Sequence, residues 1–392
     1  MRPLAASLMI LAAATPAVTG CGERAAAPAA PRGDLVVLRA GAERTLTLGA
    51  GAPRALPAGQ PAVGWRSLYT ATPAGTATTV ARIDVSTGRA LRSLRLPGRW
   101  VLPATVIGGA PDAATADGRT LVLARAGARE TRFALVDASL RHPPRTVTLP
   151  GRFAFDAIAP DASRMFLIEQ RAGGHYLVRN YDLARDELVP GAVIDKLEPD
   201  EAMEGEPVAR AVPASAPWVY TLYRKAEGPF VHALNTEGFA LCIDLPTAAR
   251  SDAKSAREWG LVLAPGDGTL YAANPALGLV VEIAANDAAE VRRTVRIPRG
   301  AIGAAPRLAV TPDGRTLYVP TANGVAALDT TTLAVRRTLL RGHRVSAVVA
   351  QGRRIYAQDG AVVALDAASG AVLRRTPTSA PAAALAAVLP AR

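Results

Sequence analysis

The side chains best able to do chemistry are few in this sequence and lie far apart. The chain has 392 residues, with two cysteines and four histidines. The histidines do not have the spacing of metal ligands, and no phosphate-binding loop or nucleophile elbow occurs. We therefore predict no catalytic residue, no metal site and no cofactor. The histidines are His142, His175, His232 and His343.

One stretch concentrates aromatic side chains around a histidine. Its strand-like segments are 218–224, 229–234 and 240–246, and a turn at 235–238 would bring His232 close to Leu241 or Cys242. Aromatic groups with a histidine near the loop ends of strands can line a ligand pocket. The alternative interpretation is a core histidine beside a small core cysteine, Cys242. The candidate ligand-binding residues are Tyr220, Tyr223, Phe230 and His232.

The elements that would position these residues repeat along the chain. The clearest unit, 307–339, reads as four short strands, and its Asp313-Gly314 pair predicts a hairpin turn because glycine supplies the positive φ. Weaker copies bring the number of units to seven. The sequence thus predicts an all-β fold, a single β-propeller of four-stranded blades. The other units begin near Trp65, Asp117, Asp161, Pro217, Asp267 and Gly352.

An acidic residue marks the predicted third strand of each unit. These acids recur every 47 residues on average, which is within the range for four-stranded propeller blades. We expect each to end its strand and to accept hydrogen bonds from backbone N–H groups of the following turn. The acids are Asp84, Asp137, Asp182, Asp244, Glu282, Asp329 and Asp366.

Both ends of the repeat region carry further strands. Residues 34–39 and 44–48 are predicted as the third and fourth strands of a blade, and residues 383–388 as a first strand. Four strands that bury one face are not stable alone, so the blades must stack and the ring must close. The terminal strands therefore predict either an eight-bladed ring with a composite blade or a seven-bladed ring in which they augment one blade.

The repeat resembles that of a known family. The segments 311–320 and 327–332 resemble the YVTN-type bacterial β-propeller repeat, which is related to the WD40 and TolB-like repeats. The resemblance covers roughly residues 34–392 and implies the propeller fold. It implies no single function, because such propellers serve as binding modules, scaffolds and enzymes.

The N-terminus is typical of an export signal. Arg2 precedes the apolar stretch 4–14, which is too short to span a bilayer as a mature helix. The segment 18–21, Val-Thr-Gly-Cys, resembles the bacterial lipobox, which implies lipidation of Cys21 and its place as the first mature residue. We predict a signal peptide at 1–20, a disordered tether at 21–33 and a propeller at 34–392, anchored by lipid on the extracytoplasmic side of a membrane.

The net charge of +12 comes mostly from arginine. The arginines, such as Arg292 and Arg293, alternate with apolar residues in strand-like segments instead of forming a dense basic block. This distribution favours solvated strand faces over a dedicated polyanion site. Export would also exclude nucleic acid as a partner.

Two functional hypotheses follow, from different classes. The first is a monomeric, membrane-tethered binding or scaffold module that presents its loop face to a protein, a glycan or a small ligand. The alternative is an extracytoplasmic propeller enzyme, because 364–373 resembles the repeat of quinoprotein oxidoreductases and would imply pyrroloquinoline quinone. Arg374 stands where the docking tryptophan of that repeat would follow, so we favour the binding module.

Overall fold

Short antiparallel strands make up most of the chain from residue 34 onward. The signal peptide, Cys21 and the tether lie outside the residues described by the structure, so those expectations stay predictions. The computed structural model describes residues 34–40, 44–49, 53–106, 112–193, 203–213, 216–225, 228–246, 255–266, 268–286, 289–378 and 383–390.

The strands are numbered in chain order. The first group is β1 (Leu35–Ala40), β2 (Arg44–Leu48), β3 (Arg54–Pro57), β4 (Gln60–Pro61), β5 (Ser67–Ala74), β6 (Ala77–Asp84), β7 (Ala90–Pro97), β8 (Thr120–Ala126), β9 (Glu130–Asp137), β10 (Arg145–Pro150), β11 (Phe153–Ile158), β12 (Arg164–Gln170), β13 (Tyr176–Asp182), β14 (Glu187–Leu188) and β15 (Glu206–Ala211). The second group is β16 (Trp218–Arg224), β17 (Pro229–Asn235), β18 (Phe239–Asp244), β19 (Gly260–Leu263), β20 (Thr269–Asn274), β21 (Leu279–Ala284), β22 (Val291–Arg296), β23 (Ala309–Val310), β24 (Thr316–Thr321), β25 (Gly324–Asp329), β26 (Val335–Leu339), β27 (Ala347–Gln351), β28 (Arg354–Gln358), β29 (Ala361–Asp366), β30 (Val372–Pro377) and β31 (Ala383–Leu389). Short 3-10 helices lie at Val63–Trp65, Ala172–Gly174 and Ser255–Glu258.

The strands form eight antiparallel sheets, each of which is one blade. Blades 1 to 7 follow the chain and begin at β4, β8, β11, β15, β19, β23 and β27. Blade 2 has three named strands, and an isolated bridge from Ala114 to Leu121 takes the place of its first strand. The eighth sheet combines both chain ends, so the eight-bladed alternative is the correct one.

The eighth sheet, the closing blade, has the strand order β31, β1, β2, β3. The prediction of a composite blade with one C-terminal strand is confirmed. The positions predicted for β1 and β2 are wrong, because they are the second and third strands and β3 is the fourth. The reason lies in the pairing: β1 bonds directly to β31, with Val36 opposite Val388 and Ala40 opposite Ala383. The sequence around β3 is too short and too exposed to be recognised as a strand.

The unit predicted most clearly from sequence has the expected order of strands in blade 6. Its second and third strands, β24 and β25, are almost entirely buried, which suits a sheet packed between two others. Gly314 has a φ of 72° in the turn before β24, a conformation that glycine adopts without steric cost. The Asp313 carboxylate accepts a hydrogen bond from Arg315 N at 3.1 Å and completes the turn.

Five of the seven predicted strand-end acids stand where they were expected. Asp329, for example, ends β25 and accepts a hydrogen bond from Thr332 N at 2.8 Å. Two positions were assigned wrongly. Asp244 ends a fourth strand, and Asn235 takes the turn position of blade 4 by accepting from Glu237 N at 2.8 Å. Glu282 lies inside β21, where its carboxylate faces the Arg293 guanidinium at 2.7 Å. The acids that hold the turn are Asp84, Asp137, Asp182, Asp329 and Asp366.

Eight apolar clusters fill the spaces between successive blades, including both sides of the closing blade. Between blades 4 and 5, Tyr220 and Leu222 pack with Trp259 and Leu270. First strands of neighbouring blades contact one another, as β15 and β19 do, so they lie at the inner edge of the ring. Within the described part of the chain, no helix has the length and apolar character needed to cross a bilayer.

Candidate functional site

Three charged side chains meet at the inner edge of blades 2, 3 and 4. Arg210 lies in β15, Asp156 lies in β11, and Asp112 shortly precedes the bridge residue Ala114. The Nη1 of Arg210 is 3.1 Å from Asp156 Oδ1, and its Nη2 donates to the Asp156 carbonyl at 2.7 Å. The Arg210 Nε is 3.0 Å from Asp112 Oδ2. One guanidinium therefore links three successive blades.

The backbone explains how an aspartate from an apolar strand reaches this network. The pairing of β11 with β12 shifts between Phe155 and Ala157, which leaves Asp156 as the extra residue of a β-bulge. A bulge turns its side chain away from the regular alternation of the strand. In blade 4, Arg210 of β15 pairs with Thr221 of the neighbouring strand β16. The Thr221 Oγ1 accepts a hydrogen bond from Arg210 Nη1 at 2.9 Å. The guanidinium is thus fixed by two neighbouring sheets.

Burial and ion pairing act in opposite directions on the charged groups of the network. The side chains of Arg210 and Asp156 are 7% and 3% exposed, whereas that of Asp112 is 22% exposed. Burial raises the pKa of Asp112, and the nearby Arg210 charge only partly offsets this rise. Burial lowers the pKa of Arg210, but Asp112 and Asp156 outweigh that effect and leave it raised. The guanidinium therefore stays charged.

A pocket opens directly above this network. Its cavity volume is about 20 Å³, room for a group about the size of one water molecule, and the rest of it is an open mouth. Asp112 and Arg210 are the charged residues among those that line it. Val212, 47% exposed, stands at its rim. The remaining wall is mostly apolar, which is typical of a ligand site with a few placed polar groups. The other lining residues are Ala114, Ala116, Ala157, Ile158, Pro160, Ala216, Pro217, Trp218, Val219 and Thr236.

Three of the four residues predicted to bind ligand lie together, between blades 3 and 4. The Tyr223 ring stacks on Phe230 at 5.4 Å and meets the His232 ring edge-on at 6.2 Å. All three side chains are buried, and His232 lies opposite Thr221 across the ladder. Thr221 thus connects the strand of His232 to Arg210, and other residues line the pocket.

The fourth predicted residue, Tyr220, is separated from the others. It points to the opposite face of β16, where it stacks with Trp218 at 6.0 Å and packs against blade 5. Alternation along a strand sends residues 220 and 223 to opposite faces. Cys242 lies opposite His232, is partly buried and packs beside the apolar cluster of blades 3 and 4.

The charged network was missed from the sequence, although one signal was present. Asp156 interrupts the otherwise apolar segment Phe153–Ile158. A carboxylate in a buried strand needs a partner, and that partner is usually a charged or hydrogen-bonding group from elsewhere in the chain. Nothing local identifies Arg210 as this partner, because it is 54 residues away. Over the described ranges, no group of three or more His, Cys, Asp or Glu side chains is arranged to hold a metal ion.

Comparisons with known proteins identify the fold. No family model matches the chain, and no curated protein matches it. Among solved structures, apo AztD from Citrobacter koseri matches with a TM-score of 0.55 at 12% identity, covering 92% of this chain and 98% of that one. The dihydro-heme d1 dehydrogenase NirN in complex with DHE matches with a TM-score of 0.55 at 16% identity, over 89% and 74% of the two chains. Sqt1 from Saccharomyces cerevisiae matches with a TM-score of 0.51 at 11% identity, over 89% of each chain.

Likeness at these identities concerns the fold alone. Together with the eight sheets and the eight clusters between them, it shows that residues 34–390 form an eight-bladed β-propeller closed by its C-terminal strand.

Proposed function

We propose that this chain is a binding module whose ligand site is the pocket at the inner edge of blades 2, 3 and 4. One observation carries the proposal: three blades contribute charged groups to a single buried network beneath a pocket with mostly apolar walls. The bound partner is a small ligand, or part of a protein or glycan, that enters from the face of the ring near Val212.

The rigidity of the support favours binding. Arg210 is held by Asp156, Asp112 and Thr221, and in the same blade Tyr223 stacks on Phe230. A site held by strands and by supporting hydrogen bonds keeps its geometry before the ligand arrives. Such preorganisation reduces the entropy lost on binding.

The location is also part of the proposal. We propose that the propeller is a bacterial lipoprotein of the YVTN-like repeat class, held outside a membrane by lipidated Cys21 and the tether 21–33. Two acyl chains on one cysteine would suffice for stable anchoring, since each buried methylene contributes about 0.8 kcal/mol. This arrangement would present the ring to partners in the cell envelope.

A photo-crosslinking experiment tests the proposed site. A photoactivatable amino acid replaces Val212 at the pocket rim in the full chain, and cells are irradiated intact. The matched control carries the same group at Val372, which is 55% exposed in the outer strand β30. We expect one discrete adduct from position 212 and none from position 372. Equal adducts from both positions, or none from position 212, would contradict the proposal.

A further inference from the structure

Among the residues that the structure describes, no hydrogen-bond donor reaches one oxygen of the Asp112 carboxylate. Its Oδ1 accepts from Thr105 N at 3.0 Å and from Thr105 Oγ1 at 3.3 Å. Its Oδ2 is 3.0 Å from Arg210 Nε, but that buried nitrogen makes no hydrogen bond to any described group. Within the described residues, therefore, no group donates to Oδ2. Because the Asp112 side chain is 22% exposed, this oxygen is open to accept a hydrogen bond from a ligand in the pocket.

The charges around this oxygen do not balance. Asp112 and Asp156 face one guanidinium, so the network carries one negative charge in excess when both carboxylates are ionised. Arg210 is the cationic side chain among the residues that line the pocket, and it is already engaged by both carboxylates. A ligand that brings one positive charge would neutralise the network, and the partly buried site would strengthen that attraction relative to water.

The apolar wall of the pocket limits which kinds of positively charged ligand can bind there. Ala114, Ile158, Pro217 and Val219 present apolar surface beside Asp112. A charged head reaching Asp112 would therefore be followed by an apolar stem, as in an alkylamine or a lysine side chain, where a short carbon chain ends in an ammonium group.

We infer that the pocket binds a primary ammonium group on an apolar stem, with the ammonium donating to Asp112 Oδ2 and the stem lying against the apolar wall. This inference rests on the proposed function, because it assigns a ligand class to the same pocket. Lysine side chains of a partner protein and free aliphatic amines share this chemistry.

Three probes with one stem and different heads test the inference: pentylamine, 1-pentanol and pentanoate. Their affinities for the full chain are measured by ligand-detected NMR at pH 7. We expect pentylamine to bind about tenfold more tightly than 1-pentanol, since a charged hydrogen bond is worth at least that factor. Asp112→Asn should remove the preference, whereas Asp313→Asn, in an exposed turn of blade 6, should leave it unchanged.

The outcomes separate this inference from the proposed function. Equal binding of amine and alcohol, or a preference for pentanoate, would overturn the ammonium assignment while leaving the pocket as a ligand site. If none of the three probes bound, the assignment would also fail, and the adduct at position 212 would decide the proposed function independently. Because Asp112→Asn alters a partner of Arg210, its fold is checked by circular dichroism, and the preference of the unsubstituted chain stands as a separate readout.

Discussion

At the scale of single residues, Arg210 has the most demanding environment in the site. Its side chain is 7% exposed, and its guanidinium depends on two carboxylates from other blades for its charge balance. Removing one member of a buried ion pair leaves an uncompensated charge in a medium of low dielectric constant. The positive charge of Arg210 therefore compensates the two aspartates at the inner edge of the ring.

The substitution Arg210→Met tests this role. We expect it to destabilise the fold by about 3 to 5 kcal/mol, because Asp156 would stay buried without its cation. The matched control is Arg145→Met, since Arg145 pairs with Asp186 at 2.6 Å but both side chains are exposed, at 44% and 66%. That control should cost about 1 kcal/mol or less. Urea denaturation measures both, and equal losses would contradict the account.

The strand-end aspartates give a prediction about pH. Hydrogen bonds from the turn, with the backbone N–H of Thr332 foremost, hold the pKa of Asp329 below its ordinary value. The backbone N–H and hydroxyl of Ser369 do the same for Asp366. In acid the unfolded chain then binds more protons than the folded one, so stability falls as pH falls. The contribution is fully present above about pH 4 and is lost as pH falls through the lowered pKa values.

We therefore expect the urea midpoint to decrease between pH 5 and pH 3. The double substitution Asp329→Asn and Asp366→Asn should make this decrease shallower, because an amide does not titrate. The measurement is a series of urea titrations of both chains at matched pH. Identical pH slopes for the two chains would show that these turns do not contribute to acid sensitivity.

At the scale of elements, the closing blade depends on a side-chain contact as well as on strand pairing. Gln358, at the end of β28, is 6% exposed; its Oε1 accepts from Leu385 N at 2.7 Å and its Nε2 donates to the Ala383 carbonyl. This amide connects blade 7 to the start of β31. Without it, buried backbone groups of the C-terminal strand would lose their partners.

The substitution Gln358→Leu should cost about 1 to 3 kcal/mol, the penalty for leaving a buried backbone group unsatisfied. Gln170→Leu is the matched control, since Gln170 is exposed at the end of β12 and should tolerate the change. Hydrogen exchange provides a second readout: the Leu385 amide should exchange faster in Gln358→Leu. An unchanged exchange rate at Leu385 would contradict the assigned role of the glutamine.

Much of the element order could be predicted from sequence, because strand alternation and turn residues are local signals. Asp313 and Gly314 illustrate this, as each acts within its own turn. The prediction of third-strand acids was wrong where an acid ends a different strand, and it missed the blade in which another residue type holds the turn. Asp244 is an acid at the end of a fourth strand. In that blade, the third strand ends at Asn235, whose side-chain amide oxygen accepts the hydrogen bond from the turn.

Of the candidate site, only the aromatic cluster near the charged network could be predicted from the sequence. Tyr223, Phe230 and His232 form a cluster as their spacing suggested, yet Tyr220 lies on the other face of its strand. The network of Arg210 with two aspartates depends on how successive blades meet, and on a β-bulge at Asp156. Neither the contact between blades nor the bulge produces a repeating pattern in the sequence.

At the scale of the whole molecule, the proposed anchor sets where the ring can act. Cys21→Ser should move the protein from the membrane fraction to the soluble fraction of cell lysates, because a serine cannot take the thioether-linked lipid of a lipobox cysteine. The matched control is Cys242→Ser, which alters the partly buried cysteine of blade 4. Ultracentrifugation followed by immunoblotting measures the distribution. Retention of the Cys21→Ser protein in the membrane fraction would contradict the anchor.

The central claim is that the pocket of blades 2, 3 and 4 is where the ring binds its partner. The most direct measurement is the yield of the crosslinked adduct from position 212 on intact cells, in a chain that also carries Ala116→Trp. Ala116 lines the pocket and is partly exposed, so an indole there should fill the space without disturbing the core. We predict that the adduct is lost with Ala116→Trp and kept with the control Ala90→Trp, at an exposed position of β7. An adduct that persists in the filled pocket would contradict the claim.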